Sequence, residues 1–381
     1  MIRGGRKRIM DFEKLDRFID SLPGYGIPAC DISVWQDHSE IYRRRAAQEP
    51  GMMPSPDGRY FAYSVSKVVT CAAALTLMEK GLFLLDTPVS EILPEFAELR
   101  VLAGGGTYTV PATRPLLMRH LFCMTSGFGY NLTSAELRRV KDETHGACPT
   151  REAVRAMAKI PLNFEPGEKY LYGLSHDILA AAVEVLSGER FGEYVKRVIF
   201  DPLGMIESTF DPKMTGELEP QYRFNDRTGR PEETAKTNMY VLGSEYESGG
   251  AGLVTTVGDM IKFADALACG GVGANGGRIL SGASIEMMRT PMLDEKQQKT
   301  FVWDQLGSSY SYGLGVRTLV DPKGGCLMPV GEFGWSGAAG AMLLSSPELK
   351  LSVYYAQHML NNKEAFVQPR LRNVIAACVS R

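Results

Sequence analysis

The chain is 381 residues long, 44% hydrophobic and 23% charged, with a formal net charge of −2. That length accommodates two domains or one large composite one, with apolar residues enough for a sizeable core. The near-neutral balance gives no reason to expect nucleic acid or an anionic membrane as a partner.

Residues 1–9 carry Arg3, Arg6, Lys7 and Arg8 and read as a flexible, solvated basic tail, without the apolar stretch of a signal peptide. The longest apolar run, VVTCAAALTLM, is too short to span a membrane. Seven cysteines are scattered from Cys30 to Cys378 without a CxxC pair. They read as buried or free thiols in a reducing compartment, so the expected location is cytoplasmic.

In chain order, Phe12, Leu15, Phe18, Ile19 and Leu22 recur at helical spacing. IPACDISVWQDHSEIYRRRAA predicts two strands joined by a polar turn at Asp37–Ser39. A helix starts near Ser64. From about 83 to 299 helical patterns dominate, among them HDILAAAVEVLSG, stopping on Gly188, and a helix with a capping pattern from Thr256 to Asp259. The tail turns strand-like in YGLGVRTLV, GAMLLSSP and KLSVYYAQHM, and AFVQPRLRNVIAACV predicts a closing helix. Strands at both ends with helices between predict an α+β fold. An antiparallel sheet domain, built from 10–82 and 300–381, would be interrupted by a mainly helical domain over 83–299. A site belongs in the cleft between the two.

Ser64 and Lys67 share a helix face, so the amine can reach the hydroxyl locally. In a first turn, the helix dipole and free N–H groups favour an oxyanion beside the serine. A lysine desolvated on this apolar helix loses basicity and can serve as a base near neutral pH. Taken alone, a serine cap followed by a surface lysine explains so short a pattern at least as well. Support comes from Tyr172, which follows a Pro-Gly turn and precedes a helix, where its phenol could face the cleft as a general acid or base.

YSVSKVVT, LLDTPVSEILPEF, RHLFCMTSGF, the Tyr172 segment, IFDPLGM, GGAGLVTTVGDMIKFADAL and FGWSGAAGAMLLSSPELKLSVYY occur in one order. In that order they resemble the serine β-lactamase-like hydrolases: class C β-lactamases, DD-peptidases and family VIII carboxylesterases. The resemblance spans about residues 12 to 375. It implies the β-lactamase/transpeptidase-like fold, with the antiparallel sheet flanked by helices, and no metal or organic cofactor. It also implies Ser64 as acylated nucleophile, Lys67 as its base partner and Tyr172 as the second-motif tyrosine. Trp335, Ser336 and Gly337 stand at the third motif, and the backbone N–H groups of Ser64 and Ala338 form the oxyanion hole. Which of Lys67 and Tyr172 takes the first proton stays open, because a close pair titrates as a unit.

Two departures bear on substrate. Tyr-x-Asn becomes Tyr172-Gly173-Leu174, in a YGLSHD segment that resembles the Tyr-Ser-Leu-x-x-Asp form of the esterase branch, and the lysine that would recognise a substrate carboxylate becomes Trp335. Leu174, Trp335, Ser336 and Gly337 are thus expected to line a site for an ester without a carboxylate. Met124 stands where the family commonly has histidine, and a structural role is expected of it. Gly334 to Ala338 also approximate a G-x-S-x-G elbow. That motif requires a strand-to-helix turn, whereas a strand is predicted after Ser336. His38, His120, His145, His176 and His358 show no metal-ligand spacing.

The expected activity is hydrolysis of short-acyl carboxylic esters through an acyl-enzyme on Ser64, the partner being a small-molecule ester or amide. The alternatives are a D-amino-acid peptidase, amidase or β-lactamase, and a non-catalytic binding or scaffold protein of the same fold.

Overall fold

The computed structural model describes residues 10–301 and 309–379, and the basic cluster at 1–9 lies outside them. Its main sheet has seven antiparallel strands: β1 (Ala29–Gln36), β2 (Ser39–Ala47), β3 (Tyr310–Tyr312), β4 (Arg317–Leu319), β5 (Phe333–Ser336), β6 (Met342–Ser346) and β7 (Leu351–Ala356). They lie in the order β2-β1-β7-β6-β5-β4-β3, so β1 from the amino-terminal end pairs directly with β7 from the carboxy-terminal end. The β1–β2 hairpin turns on Asp37 and His38, whose φ angles of 46° and 67° match the right-handed twist of the strands.

YGLGVRTLV, predicted as one strand, is a hairpin of β3 and β4. Gly313 N–H bonds Val316 C=O at 2.8 Å, and Gly315, at φ 80°, lets the chain reverse where the pattern suggested continuation.

Five helices frame the site: α1 (Glu13–Ser21), α2 (Ser66–Glu79), α3 (Ser175–Ser187), α4 (Val257–Ala268) and α5 (Glu364–Cys378). The end of α3 on Gly188 and the cap of α4, where Asp259 N–H donates to the Thr256 hydroxyl at 3.0 Å, follow the expected pattern. Although α4 comes from the stretch expected to form the helical domain, it packs on β1, β6 and β7. Its apolar face finds the sheet because the strand before it, Val254–Thr256, pairs with Arg59–Phe61 beside the sheet. Helix α5 covers the other face. Phe333 pairs with Ser345, which donates to Ala264 C=O of α4, while Ser336 donates to Gln368 of α5. Residues 333 and 336 differ by an odd number, so pleating sends them to opposite faces. Helix α1 packs against α5.

The inserted stretch also holds a hairpin missed by the periodicity, Gln221–Asn225 with Arg230–Thr234, extended in parallel by Met359–Leu360. Charged residues fill much of that hairpin, so no alternating apolar pattern announced it. All seven cysteines are free, and six are buried. No helix among the described residues is long and apolar enough to cross a membrane.

Candidate active site

Strand Arg59–Phe61 delivers the chain into a 3-10 turn over Tyr63–Val65, with α2 proper beginning at Ser66. Ser64 therefore sits just ahead of the helix rather than inside its first turn. Tyr63 has φ 47°, an uncommon conformation for a bulky side chain. It is held by its phenol donating to Gln221 Oε1 at 2.6 Å and its carbonyl accepting from Ser66 Oγ at 2.5 Å. The turn's bonding runs from Val65 N–H to Ala62 C=O at 3.2 Å, which leaves the Ser64 N–H ahead of it.

Helix α2 is buried continuously from Ser66 to Leu77, and Lys67 is the charged residue in that run. The amine is fully buried, and burial pulls its pKa from 10.5 down to about 7, opposed by the nearby Asp177 carboxylate. Lys67 Nζ lies 2.6 Å from Gly250 C=O, 2.9 Å from the Tyr130 hydroxyl and 3.4 Å from Ser64 Oγ. A surface lysine is thereby ruled out. A neutral amine has two N–H bonds; with those given to Gly250 and Tyr130, its lone pair is left for the Ser64 proton.

Asp177, on α3, stands behind this amine. Tyr246 and Ser248 donate to its Oδ1 at 2.9 and 2.6 Å, and burial raises its pKa against those bonds. The carboxylate fixes the turn whose Gly250 carbonyl receives Lys67. A Cβ at Gly250 would lie 2.5 Å from Asp177 Oδ2 and 3.4 Å from Lys67 Nζ, so a side chain there would have to displace the Asp177 carboxyl.

Tyr172 lies on the loop before α3. Met124, buried at φ 56°, accepts Leu171 N–H on its carbonyl at 2.8 Å, the structural role expected at that position. Gly173 packs so closely on the Phe128–Gly129 backbone that a Cβ would meet Phe128 O at 2.1 Å. Tyr172 and Tyr130 are brought together by this contact, with ring centroids 5.8 Å apart. Trp335 donates its indole N–H to the Tyr172 oxygen at 2.8 Å. Burial raises the Tyr172 pKa above the usual phenol value, opposed by hydrogen bonds to Ser64 and Trp335. The Lys67 amine lies over the Tyr172 ring face, 4.6 Å from its centroid, while its hydroxyl partner is Tyr130. Sequence reasoning missed Tyr130. It stands two residues beyond RHLFCMTSGF, and no spacing ties it to Lys67.

The sheet edge supplies the opposite wall. Gly337 N–H donates to Ala341 C=O and Gly337 C=O accepts from Gly340 N–H, which orients the next amide, Ala338 N–H. The Ala338 carbonyl is held by Asn362 Nδ2 at 2.7 Å. Ser64, Trp335, Ser336, Gly337 and Ala338 all border one cleft of about 310 Å³. The Ser336 hydroxyl points to α5, where it donates to Gln368 at 2.6 Å. Leu174 is not among the residues around this cleft; it borders a neighbouring hollow with Phe128, Tyr130 and Asn163.

The elbow reading fails, since Ser336 ends β5 and leads into strand β6. His358 accepts from Phe61 N–H and faces the Glu219 and Pro220 carbonyls. Among the described residues one trio, Asp37, His38 and Cys269, places possible metal-ligand atoms within 4.8 Å of one another, which linear spacing could not show. Asp37 there already pairs with Lys350, and His38 with Asp265.

Similarity to known proteins fits this geometry. The chain is 28% identical to the acyltransferase calJ of Penicillium decumbens over 345 residues, 84% of this chain and 81% of that one. It is 27% identical to the esterase EstB of Burkholderia gladioli over 350 residues, 84% of each. Its fold matches the solved structure of EstCE1, a hydrolase with promiscuous acyltransferase activity, at a TM-score of 0.78, with 23% identity and coverage of 96% of this chain and 98% of that one. The Beta-lactamase family model matches residues 15–377. This enzyme belongs to the β-lactamase family of serine hydrolases, among its esterase and acyltransferase relatives.

Proposed function

We propose that the protein cleaves short-acyl carboxylic esters by forming an acyl-enzyme on Ser64. The carrying observation is the buried Lys67 amine, with a pKa of about 7, both its N–H directions occupied and Ser64 Oγ 3.4 Å away. Lys67 takes the Ser64 proton as Oγ bonds to the ester carbonyl carbon, and the apo distance shortens when substrate is bound. The carbonyl oxygen becomes an oxyanion facing the N–H groups of Ser64 and Ala338. Collapse breaks the bond to the alcohol oxygen, and Tyr172, which burial keeps protonated, gives that oxygen its proton. The proton held by Lys67 restores Tyr172. Water then adds to the acyl carbon, its proton passing to the same amine; collapse breaks the Ser64 Oγ–acyl bond, Lys67 returns that proton to Oγ, and the carboxylic acid leaves.

A second reading, transfer of the acyl group to an alcohol in place of water, is supported by the similarity to the acyltransferase calJ and to EstCE1, a hydrolase with promiscuous acyltransferase activity. It is tested by adding a primary alcohol during turnover and measuring the new ester.

With Trp335 at the third motif and no Lys or Arg among the described residues that border the cleft, a carboxylate-bearing β-lactam meets no cation from them. A charged hydrogen bond contributes about 1.5–3 kcal/mol, tenfold to over a hundredfold in rate. Hydrolysis of p-nitrophenyl butyrate should therefore far exceed that of nitrocefin. Efficient nitrocefin turnover, above that of short esters, would make the protein a β-lactamase. The mechanism itself is tested by intact mass after a fluorophosphonate probe. One label is expected, lost in Ser64→Ala and kept in Ser336→Ala; a label surviving in Ser64→Ala would sink it.

A further inference from the structure

Strand β5 runs on into a turn over residues 337–340, closed by Gly340 N–H donating to Gly337 C=O at 2.8 Å. Ala338 and Ala339 are its central residues, and the peptide between them is the part that rotates when one turn type becomes another. The oxygen of that peptide, the Ala338 carbonyl, is held by Asn362 Nδ2 at 2.7 Å. The Ala339 carbonyl accepts Met359 N–H at 2.9 Å, while the Ala338 N–H donates to none of the described residues. Asn362 is fixed in turn, because its Oδ1 accepts Glu364 N–H at 2.7 Å at the start of α5.

The strap that carries Asn362, residues 358–362, also reaches the nucleophile. His358 Nε2 accepts Phe61 N–H at 3.4 Å, three residues before Ser64. Phe61, Tyr63, Ala338, Ala339 and Leu360 pack in one apolar cluster. Gly337 lies so close to the chain before Ser64 that a Cβ would stand 2.3 Å from the Ala62 carbonyl oxygen. His358 and Asn361 take φ angles of 44° and 50°, uncommon outside glycine, at the two ends of Met359–Leu360. One strap therefore touches both backbone segments that carry the oxyanion donors. Ala338 borders the cleft, so its carbonyl, turned inward, would present a negative end where the oxyanion forms.

Resting on the acyl-enzyme reading above, we infer that Asn362 is a positioning residue for the oxyanion hole. Its amide keeps the Ala338 carbonyl turned away from the reacting oxygen and the Ala338 N–H directed at it. Asn362 touches no reacting atom. Its effect is felt when the ester carbonyl becomes an oxyanion, and ground-state binding is unaltered.

Two ketones, trifluoromethyl butyl ketone and methyl butyl ketone, test this beside p-nitrophenyl butyrate. Ser64 Oγ adds to the carbonyl carbon of the first, its proton passes to Lys67, and the ketone oxygen becomes an oxyanion in the hole. The second competes as a neutral carbonyl of similar size. Two variants remove the amide: Asn362→Ala, and Asn362→Ser, whose hydroxyl can still cap Glu364 N–H but stops short of Ala338. In both, kcat/KM should fall about tenfold or more, a part of the roughly 10²–10³-fold that a whole oxyanion donor supplies. Ki for the trifluoromethyl ketone should rise by the same factor, and Ki for methyl butyl ketone should hold. Asn373→Ala is the matched control. From α5, Asn373 donates to Gly325 C=O at 2.7 Å and accepts Leu327 N–H at 2.8 Å, and none of these three residues borders the cleft. Its loss should lower stability and leave all three constants unchanged.

A ratio of the two Ki values that stays constant in both Asn362 variants would overturn the inference. An equal change in Asn373→Ala would reduce the effect to general loosening and overturn it as well. Unfolding of both Asn362 variants, read by circular dichroism, would make Asn362 a residue of the fold and not of the hole. Wild-type protein inert to the ester and unlabelled at Ser64 would instead overturn the hydrolase reading, and this inference with it.

Discussion

At Lys67 the burial of one amine sets both a chemical role and a linkage to folding. The neutral amine is the form that can accept the Ser64 proton, so kcat/KM should rise with pH through about 7 and level off above. A pH profile flat from 5.5 to 8.5 would remove Lys67 from the base role. Stability carries the same sign. The folded pKa is lowered from 10.5 to about 7, so between those values the unfolded chain holds a proton that the folded chain lacks. Stability should therefore climb with pH across that window and level off below it, where both states hold the proton, and Lys67→Met should flatten the climb in urea titrations. The two tyrosines divide differently. Tyr130→Phe removes a partner of the amine, whereas Tyr172→Phe removes the proposed acid and the acceptor of the Trp335 indole. Tyr172→Phe should lower kcat by about 10²–10⁴-fold. Tyr130→Phe should chiefly displace the pH midpoint. Equal losses with unmoved midpoints would merge their roles.

Among the elements, the turn at 248–253 is as much a part of the site as α2, because its Gly250 carbonyl directs the Lys67 amine. A methyl group at Gly250 meets the Asp177 carboxylate before it meets anything able to move easily. Gly250→Ala should destabilise the protein by about 1–3 kcal/mol and depress kcat more than KM. Denaturant unfolding and steady-state kinetics check both. The β5 edge shows how a motif is divided by pleating: Trp335 turns to Tyr172 while Ser336 turns to Gln368. Of those two adjacent side chains, the indole is the one hydrogen-bonded to a cleft phenol. Trp335→Phe, which keeps an aromatic face and removes the donor, should impair turnover while leaving the fold intact by circular dichroism.

For the whole molecule, the sheet joins the two ends of the chain through β1 and β7, while α4 packs on it from the intervening stretch. A fragment covering residues 10–299 would leave β1 without β7 and the sheet-facing side of α4 without most of its cover. It should therefore lack the near-ultraviolet circular dichroism of the full chain and bind hydrophobic dyes. A natively packed fragment would mean that the inserted region folds independently of the sheet.

Local chemistry was legible in the sequence where it depends on neighbours along the chain. The Ser64–Lys67 spacing, the β1–β2 turn, the Gly188 stop and the Thr256 cap each follow from the reach of a side chain or the conformations a residue can adopt. The antiparallel sheet drawn from both termini was also readable, because its strands cluster there. The assignment of Tyr130 to the Lys67 amine and the pinning of Gly250 by Asp177 were decided only in three dimensions, since these partners are 63 and 73 residues apart. The separation of Leu174 from the cleft and of the Ser336 hydroxyl from its interior were decided there too. The burial that brings Lys67 to about 7 is likewise a tertiary property. The helix supplies an apolar surface, but water is excluded only when α3 and the 248–253 turn close over it.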